Sequence, residues 1–234
     1  RKPIMLTFNG KAALTLSVDI APNYVEGLIA YVDGKVLYEA EIKGIKVSAE
    51  NALSHITELV EKLMQHAEET PHGIIGLCVA IHGLVDQEEI VFTPNYTLQS
   101  DLKVQLEDVY PFYVHLENEA NLAALGEYTF GSSSDSVVSL SIHTGIGAGI
   151  VENGKLRTGK TGKAGEIGHS ILYPDGRKCP CGNEGCLEQY ASHQAIYSEL
   201  EQMLALPDIN SSLVIERYKK GDPVIQKTLR TNAH

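Results

Sequence analysis

The sequence predicts an α/β protein, because its apolar residues alternate in some stretches and recur at helical spacing in others. Three β-rich stretches open the chain, at residues 12–20, 24–32 and 35–42. Asp33-Gly34, between the last two, is a strong signal for a two-residue hairpin turn. A helix follows over residues 50–67, opened by Ser48 and ended by Pro71. The glycine-bounded apolar run at 73–81 then indicates a buried parallel strand.

The second half of the chain begins this pattern again. A helix is predicted at 101–109, a strand at 112–116, a helix at 118–128, and strands at 136–143 and 148–151. Asn153-Gly154-Lys155 repeats the turn chemistry of Asp33-Gly34-Lys35. Either such turns recur by chance, or a duplicated hairpin-and-helix unit encloses a ligand cleft between two halves. From Glu188 onward the pattern is almost all helical.

Breaks in the last helical region are expected at Pro207 and at residues 221–223, and residues 82–95 are expected to form a loop. The chain has 234 residues, enough for one large or two small domains. Its formal net charge of -11 argues against direct contact with nucleic acid. No signal peptide or membrane-length apolar run is present, and the cysteine usage favours the cytoplasm.

Three of the four cysteines lie in one short segment, Cys179-Pro-Cys181-Gly-Asn-Glu-Gly-Cys186. Proline and glycine bend this segment, so three thiolates can meet at one metal ion. Zinc prefers four tetrahedral ligands, and His169 is the natural candidate for the fourth. A disulfide would close a strained ring in the cytoplasm, and a redox role would need an exposed thiolate pair, so structural zinc is favoured. Cys78 is best explained as a small core residue.

Other candidate residues are less specific taken singly. The glycine-rich stretch at residues 144–149 could bring backbone amides close to a phosphate or a sugar, but tight turns have the same composition. Glu117, Asn118 and Glu119 stand at a strand-to-helix junction, where an amide beside a carboxylate suits a vicinal diol. Acidic residues in a first helical turn also have a purely structural explanation.

Five segments together resemble the ROK family, which is named for repressors, open reading frames and kinases. They are residues 144–169 (TGIGAGIVENGKLRTGKTGKAGEIGH), 179–188 (CPCGNEGCLE), 118–127 (NEANLAALGE), 77–86 (LCVAIHGLVD) and 93–95 (TPN). The resemblance implies an actin-like, ribonuclease-H-like fold with two α/β lobes around a sugar cleft. It also implies zinc ligation by His169, Cys179, Cys181 and Cys186. The sugar contacts that it implies are Asn118, Glu119, Glu166, His169 and Glu188.

The resemblance covers both sugar kinases and repressors, and the residues of the first hairpin favour a repressor. ROK kinases carry a D-x-G-G-T stretch for ATP phosphates, whereas here Asp19-Ile20 is followed by Ala21-Pro22. Proline removes an amide donor and fixes φ, which would damage a phosphate cradle. The kinases also use an Asp as general base where this chain has Glu119, so that the carboxylate is displaced by one methylene.

The start of the chain points to the same function. Residues 1–10 are similar to the linker that joins a winged helix-turn-helix to the sugar domain in ROK repressors, although an edge strand is also possible. We therefore expect a sugar-binding effector domain, with lobes at 1–117 and 118–234, whose DNA-binding domain lies outside the chain. Part of the second lobe is expected after residue 234. A homodimer or higher homo-oligomer is expected, and xylose, glucose and an N-acetyl amino sugar all remain candidate effectors.

Overall fold

A computed structural model of the chain describes residues 5–131 and 134–232. Its first sheet has five strands, in the order β3-β2-β1-β4-β7. The elements of this half are β1 (Leu14–Ile20), β2 (Tyr24–Tyr31), β3 (Val36–Lys43), α1 (Ala52–Met64), β4 (Ile74–Ile81), β5 (Leu84–Asp86), β6 (Glu89–Phe92), α2 (Leu102–Val109) and β7 (Tyr113–Asn118). The first three strands form an antiparallel meander, and β4 and β7 add to it in parallel.

The parallel part of this sheet determines where polar side chains meet. The register pairs Ile20 with Ile81 and Ile81 with Asn118, so β1, β4 and β7 end at the same edge. Helix α1 covers one face of the sheet through its fully buried residues Ile56, Leu59 and Leu63. The core of the lobe is therefore on that face, while the carboxyl ends of three strands remain open to a neighbouring lobe.

A second sheet has three antiparallel strands in the order β10-β9-β8. The elements here are α3 (Glu119–Gly126), a π-helical turn (Glu127–Gly131), β8 (Ser136–Ile142), β9 (Ile146–Glu152), β10 (Lys155–Leu156), α4 (Glu188–Ala191), α5 (His193–Leu204), α6 (Ser211–Lys219) and α7 (Pro223–Asn232). This order repeats that of β3-β2-β1. Both hairpins turn through left-handed residues, Gly34 in one and Asn153-Gly154 in the other, as the turn chemistry predicts.

The structure corrects several sequence-based boundaries. Residues 84–92 form the hairpin β5–β6 inside the stretch expected to be a loop, with Gln87 and Glu88 at positive φ. This turn lacks the glycine or asparagine that would have predicted it. The predicted helix at 118–128 continues instead as the π-helical turn, and α1 begins at Ala52 rather than at Ser48. The expected helix breaks near Pro207 and Gly221 are confirmed by the ends of α5, α6 and α7.

The expected linker lies partly outside the described residues, which begin at residue 5. Residues 5–9 are irregular and form no edge strand, and Met5, Leu6 and Phe8 are largely exposed. In the part of the chain that the structure covers, no helix combines the length and apolar character needed to cross a bilayer.

Candidate functional site

A cavity of about 470 Å³ contains every residue that the sequence predicted to contact a sugar. Asn118 and Glu119 enter it from the junction of β7 and α3, and Glu166, His169 and Glu188 enter it from the second half of the chain. Phe92 and Pro94 supply apolar surface. The volume is within the usual range for a small-molecule site, and so are the few convergent polar groups on a partly apolar wall.

Asn118 has a structural role and a binding role at once. Its Oδ1 accepts hydrogen bonds from the backbone N–H groups of Ala120 and Asn121, at 2.9 and 3.1 Å, and so caps the N-terminus of α3. Its Nδ2 donates to the carbonyl of Gly83 at 2.9 Å. An amide nitrogen has two hydrogens, so the second can serve a ligand in the cavity. The donor of the predicted amide–carboxylate pair is therefore held in place by the helix cap.

Two of the cavity carboxyls are electrostatically strained. Burial raises the pKa of Glu119, against the opposing effects of His82 and His143. Burial likewise raises the pKa of Glu166, which also feels the charges of Glu119 and Glu188. Carboxyl groups gathered in a partly dry cavity gain from hydrogen-bond donors, and sugar hydroxyls are such donors.

The glycine-rich segment at residues 144–149 packs as much as it binds. Thr144, Gly145 and Gly147 line the cavity, and a Cβ at Gly145 would lie 2.9 Å from Glu188 Oε2. Gly149 faces away from this space: a Cβ there would lie 2.1 Å from the carbonyl oxygen of Ala120 in α3. Part of the glycine pattern therefore exists so that α3 can lie directly on β9.

His169 and the three clustered cysteines form a group that could hold a metal ion. Their ligand atoms all lie within 4.8 Å of one another. Cys179 Sγ is 3.5 Å from His169 Nδ1, and Cys181 Sγ is 3.7 Å from Cys186 Sγ. Tetrahedral zinc places a thiolate and an imidazole nitrogen about 3.6 Å apart and two thiolates about 3.8 Å apart. The four donors thus fit zinc in number, chemistry and spacing.

The metal-ligand group and the cavity share the ring of His169. Its Nδ1 faces Cys179, whereas its Nε2 lies 3.6 Å from Glu166 Oε2. Glu188, at the start of α4, is within 3.2 Å of Cys179 Sγ through its Oε1. One cluster therefore orients both carboxylates and the imidazole that the cavity presents.

Comparison with known proteins identifies the family. The family model described as "ROK family" matches residues 15–234, which is most of the chain. The chain belongs to the ROK family. It is 35% identical over 216 residues to the xylose repressor of Bacillus subtilis (strain 168), covering 89% of this chain and 56% of the repressor. The chain thus spans about half the length of the curated repressors that it matches.

Solved ROK structures share the fold and divide between two functions. A ROK family glucokinase from Streptomyces griseus in complex with glucose and AMPPNP superposes with a TM-score of 0.82 at 31% identity, over 94% of this chain and 75% of that one. A ROK family transcriptional regulator, a homologue of the E. coli MLC protein, gives 0.79 at 26% identity, over 96% of this chain and 60% of the other. The actin-like, ribonuclease-H-like fold expected from the sequence is confirmed.

Several cavity residues of this ROK protein were not predicted from its sequence. His82, His143 and Lys163 line the cavity beside the expected residues. His82 comes directly after the apolar strand β4, which is the only signal that could have singled it out. His143 also contacts the C-terminal helices, since its carbonyl accepts the N–H of His193 at 2.9 Å and the two rings meet edge to face.

The first hairpin of this ROK protein brings Asp19 to the same edge of the sheet. Its Oδ1 is 2.7 Å from His82 Nε2, and its Oδ2 accepts a hydrogen bond from Tyr24 at 3.3 Å. Ala21 is buried at the turn, and the carbonyl of Pro22 accepts the N–H of Val47 at 2.9 Å. Both carboxylate oxygens of Asp19 thus have protein partners, and the turn has a fixed conformation.

Proposed function

We propose that this chain is the sugar-binding effector domain of a ROK family transcriptional repressor of carbohydrate metabolism. The observation that carries the proposal is the convergence of five polar residues from both halves of the chain on one cavity. They are Asn118, Glu119, Glu166, His169 and Glu188. Similarity to xylose repressors supports the regulatory function and makes D-xylose the first effector to test.

Sugar recognition rests on matched donors and acceptors. Carboxylates of Glu119, Glu166 and Glu188 accept hydrogen bonds from hydroxyl groups, while Asn118 Nδ2 and His169 Nε2 offer the complementary contacts. The chain has no tryptophan, so aromatic stacking is left to residues such as Phe92. A sugar held by both halves at once favours the closed arrangement of the lobes, which is how binding would alter DNA contact.

Zinc is proposed as the metal of the His169, Cys179, Cys181 and Cys186 cluster. With four protein ligands the ion has no open position, so its contribution is to fix the loop rather than to activate a reactant. Burial raises the pKa of the Cys179 and Cys186 thiols, and a cation offsets that cost by stabilising the thiolates. The cluster then holds Glu188 and His169 at the wall of the cavity.

Phosphoryl transfer is not part of the proposed function. A phosphate cradle needs free backbone amides, and Pro22 has none. The carboxylate of Asp19 is bonded to His82 and Tyr24. Glu119 would have to act as the base in place of an aspartate, with its carboxylate displaced by about 1.5 Å, which is costly for a positioned reaction.

A sugar kinase is the second candidate function. The specific observation in its favour is the TM-score of 0.82 with a glucokinase solved with glucose and AMPPNP. A coupled assay for ADP, with MgATP and a panel of hexoses and pentoses, separates the two functions. We expect no turnover above a no-sugar control, and clear sugar-dependent turnover would overturn the repressor proposal.

The remaining partners are proposals about the whole protein. In this scheme the operator DNA is contacted by a winged helix-turn-helix domain outside the 234 residues, consistent with their net charge of -11. A homodimer would present two such domains to a symmetric operator. The proposed lobes, at residues 1–117 and 118–234, meet where β7 passes into α3, and the cavity lies at that junction.

A further inference from the structure

His82 lies in the cavity wall and is held by a partner distant in sequence. It follows β4, and the parallel register of β1 and β4 pairs Ile20 with Ile81. His82 Nε2 therefore meets Asp19 Oδ1 at 2.7 Å although 63 residues separate them. Resting on the proposed function, we infer that His82 is a specificity-determining residue that donates a hydrogen bond from Nδ1 to the bound sugar.

The orientation of the His82 ring is fixed from three directions. Asp19 holds Nε2, and Tyr24, which donates to the other oxygen of Asp19, meets the ring edge to face with centroids 6.2 Å apart. The backbone N–H of His82 donates to Tyr96 Oη at 3.2 Å, and Tyr96 in turn donates to the carbonyl of Ile20 at 2.8 Å. A ring restrained in this way loses little further freedom when it binds a ligand.

The remaining ring nitrogen is available to a ligand. Within residues 5–131 and 134–232, His82 Nδ1 has no protein hydrogen-bond partner. It is also not closed off from solvent, since Tyr110 Oη is the one side-chain polar atom in these ranges that is both shut off and unpaired. His82 shares the cavity wall with Asn118 and Glu119, so the accessible space at its ring includes the ligand cavity.

The surroundings favour the charged ring, which is the form that donates from both nitrogens. Burial acts to lower the pKa of His82, but Asp19, with smaller contributions from Glu119 and Glu26, raises it above its ordinary value. Tyr24 and Tyr96 are the other titratable groups that face it, and the pKa of each is raised, mainly by burial, so both stay neutral. A cationic donor beside the acceptor Glu119 suits a hydroxyl, which accepts from one and donates to the other.

Two variants separate ligand binding from simple anchoring of Asp19. His82→Asn keeps an amide nitrogen near the position of Nδ1 but cannot reach Asp19, whereas His82→Gln reaches Asp19 but has nothing at Nδ1. The probes are D-xylose, D-glucose and N-acetyl-D-glucosamine, titrated calorimetrically into the 234-residue chain with zinc present, after circular dichroism has shown that each variant is folded. We expect His82→Gln to weaken the affinity at least tenfold, in line with about 1.5 to 3 kcal/mol for a charged hydrogen bond, and His82→Asn to weaken it less.

The pH profile supplies a second readout that a purely structural residue would not affect. Wild-type affinity should fall as pH rises from 5.5 to 8.5, because the donor at Nδ1 is lost, and His82→Gln should remove this dependence. Equal affinity for wild type and His82→Gln would overturn the inference, and so would a greater loss in His82→Asn than in His82→Gln. If the wild-type chain bound none of the three sugars, the proposed function would fall, and this inference with it.

Discussion

Cys179 lies where the metal-ligand group meets the sugar cavity. Its sulfur is 3.5 Å from His169 Nδ1 and 3.2 Å from Glu188 Oε1, so the same atom borders a ligand of the proposed zinc and a carboxylate of the cavity. Gln189 adds a contact, with its Nε2 3.6 Å from this sulfur and 3.2 Å from Glu188 Oε1. A change at Cys179 should therefore affect metal content and ligand affinity together.

Cys179→Ser is expected to lower the zinc content of the purified chain and to weaken sugar binding by about tenfold or more, because Glu188 and His169 lose their fixed positions. Zinc is measured by atomic emission and sugar affinity by calorimetry. Cys78→Ser, on β4 and outside the cluster, is the matched control and should keep its zinc. Full zinc content together with unchanged affinity in Cys179→Ser would contradict the account of the cluster.

Glu88 is the residue whose ionisation should be visible in the stability of the fold. It occupies the β5–β6 turn and bonds to Lys103, Tyr113 and His115, the last at 2.9 Å. Burial acts to raise the pKa of Glu88, but these three partners lower it to about 2. A carboxyl whose pKa is lower in the folded chain than in the unfolded chain stabilises the fold above the unfolded pKa, and this stabilisation disappears as pH falls through the folded pKa.

Glu88→Gln should thus lower the free energy of unfolding by about 1 to 2 kcal/mol at pH 7, after allowance for solvent screening of a partly exposed group. The difference from wild type should shrink as pH falls from about 4.5 towards 2. Urea unfolding at several pH values measures it, with the exposed neighbour Glu89→Gln as control. A difference that stays constant over this range would show that the ion pairs of Glu88 are not its source.

At the scale of elements, the packing of α3 on β9 determines the shape of the cavity. Helix α3 carries Asn118 at its cap and Glu119 in its first turn, and it approaches β9 at Gly149. A Cβ at Gly149 would lie 2.1 Å from the carbonyl oxygen of Ala120 and 2.6 Å from Ala124 Cβ. Because the first of these is a backbone atom, the helix itself would have to move.

Gly149→Ala should therefore destabilise the chain by about 2 to 4 kcal/mol and should weaken sugar binding through the displaced α3. Gly126→Ala is the matched control, because it ends the same helix and a Cβ there meets nothing within 4 Å. That control should be neutral or slightly stabilising. Chemical denaturation of both variants tests the comparison, and equal stability of the two would contradict the packing argument.

The sequence was sufficient for those elements whose signals are local. Alternating apolar residues and the Asp33-Gly34 and Asn153-Gly154 turns predicted both meanders, and cysteine spacing predicted the cluster. The β5–β6 hairpin was missed because Gln87 and Glu88 adopt positive φ without a glycine or asparagine to signal it. Tertiary contacts support that turn instead, chiefly the bonds of Glu88 to Lys103 and His115.

At the scale of the whole molecule, the cavity depends on contacts that no local pattern contains. The Asp19–His82 pair requires the parallel register of β1 and β4, and the meeting of Glu119 with Glu188 requires both halves of the chain. Family resemblance supplied the residues Asn118, Glu119, Glu166, His169 and Glu188, and the fold brings all five to one space. It did not supply His82, His143 or Lys163, which distinguish this cavity in detail.

The arrangement of the whole molecule yields one central claim, that the cavity between the two sheets is a sugar site independent of ATP. Calorimetric titration of the zinc-loaded chain with a panel of pentoses, hexoses and N-acetyl amino sugars tests it most directly. The account predicts saturable binding of at least one of these sugars, with the same affinity whether or not MgATP is present. Absence of binding by every sugar in a folded, zinc-loaded chain would contradict it, and so would binding that appears only with MgATP.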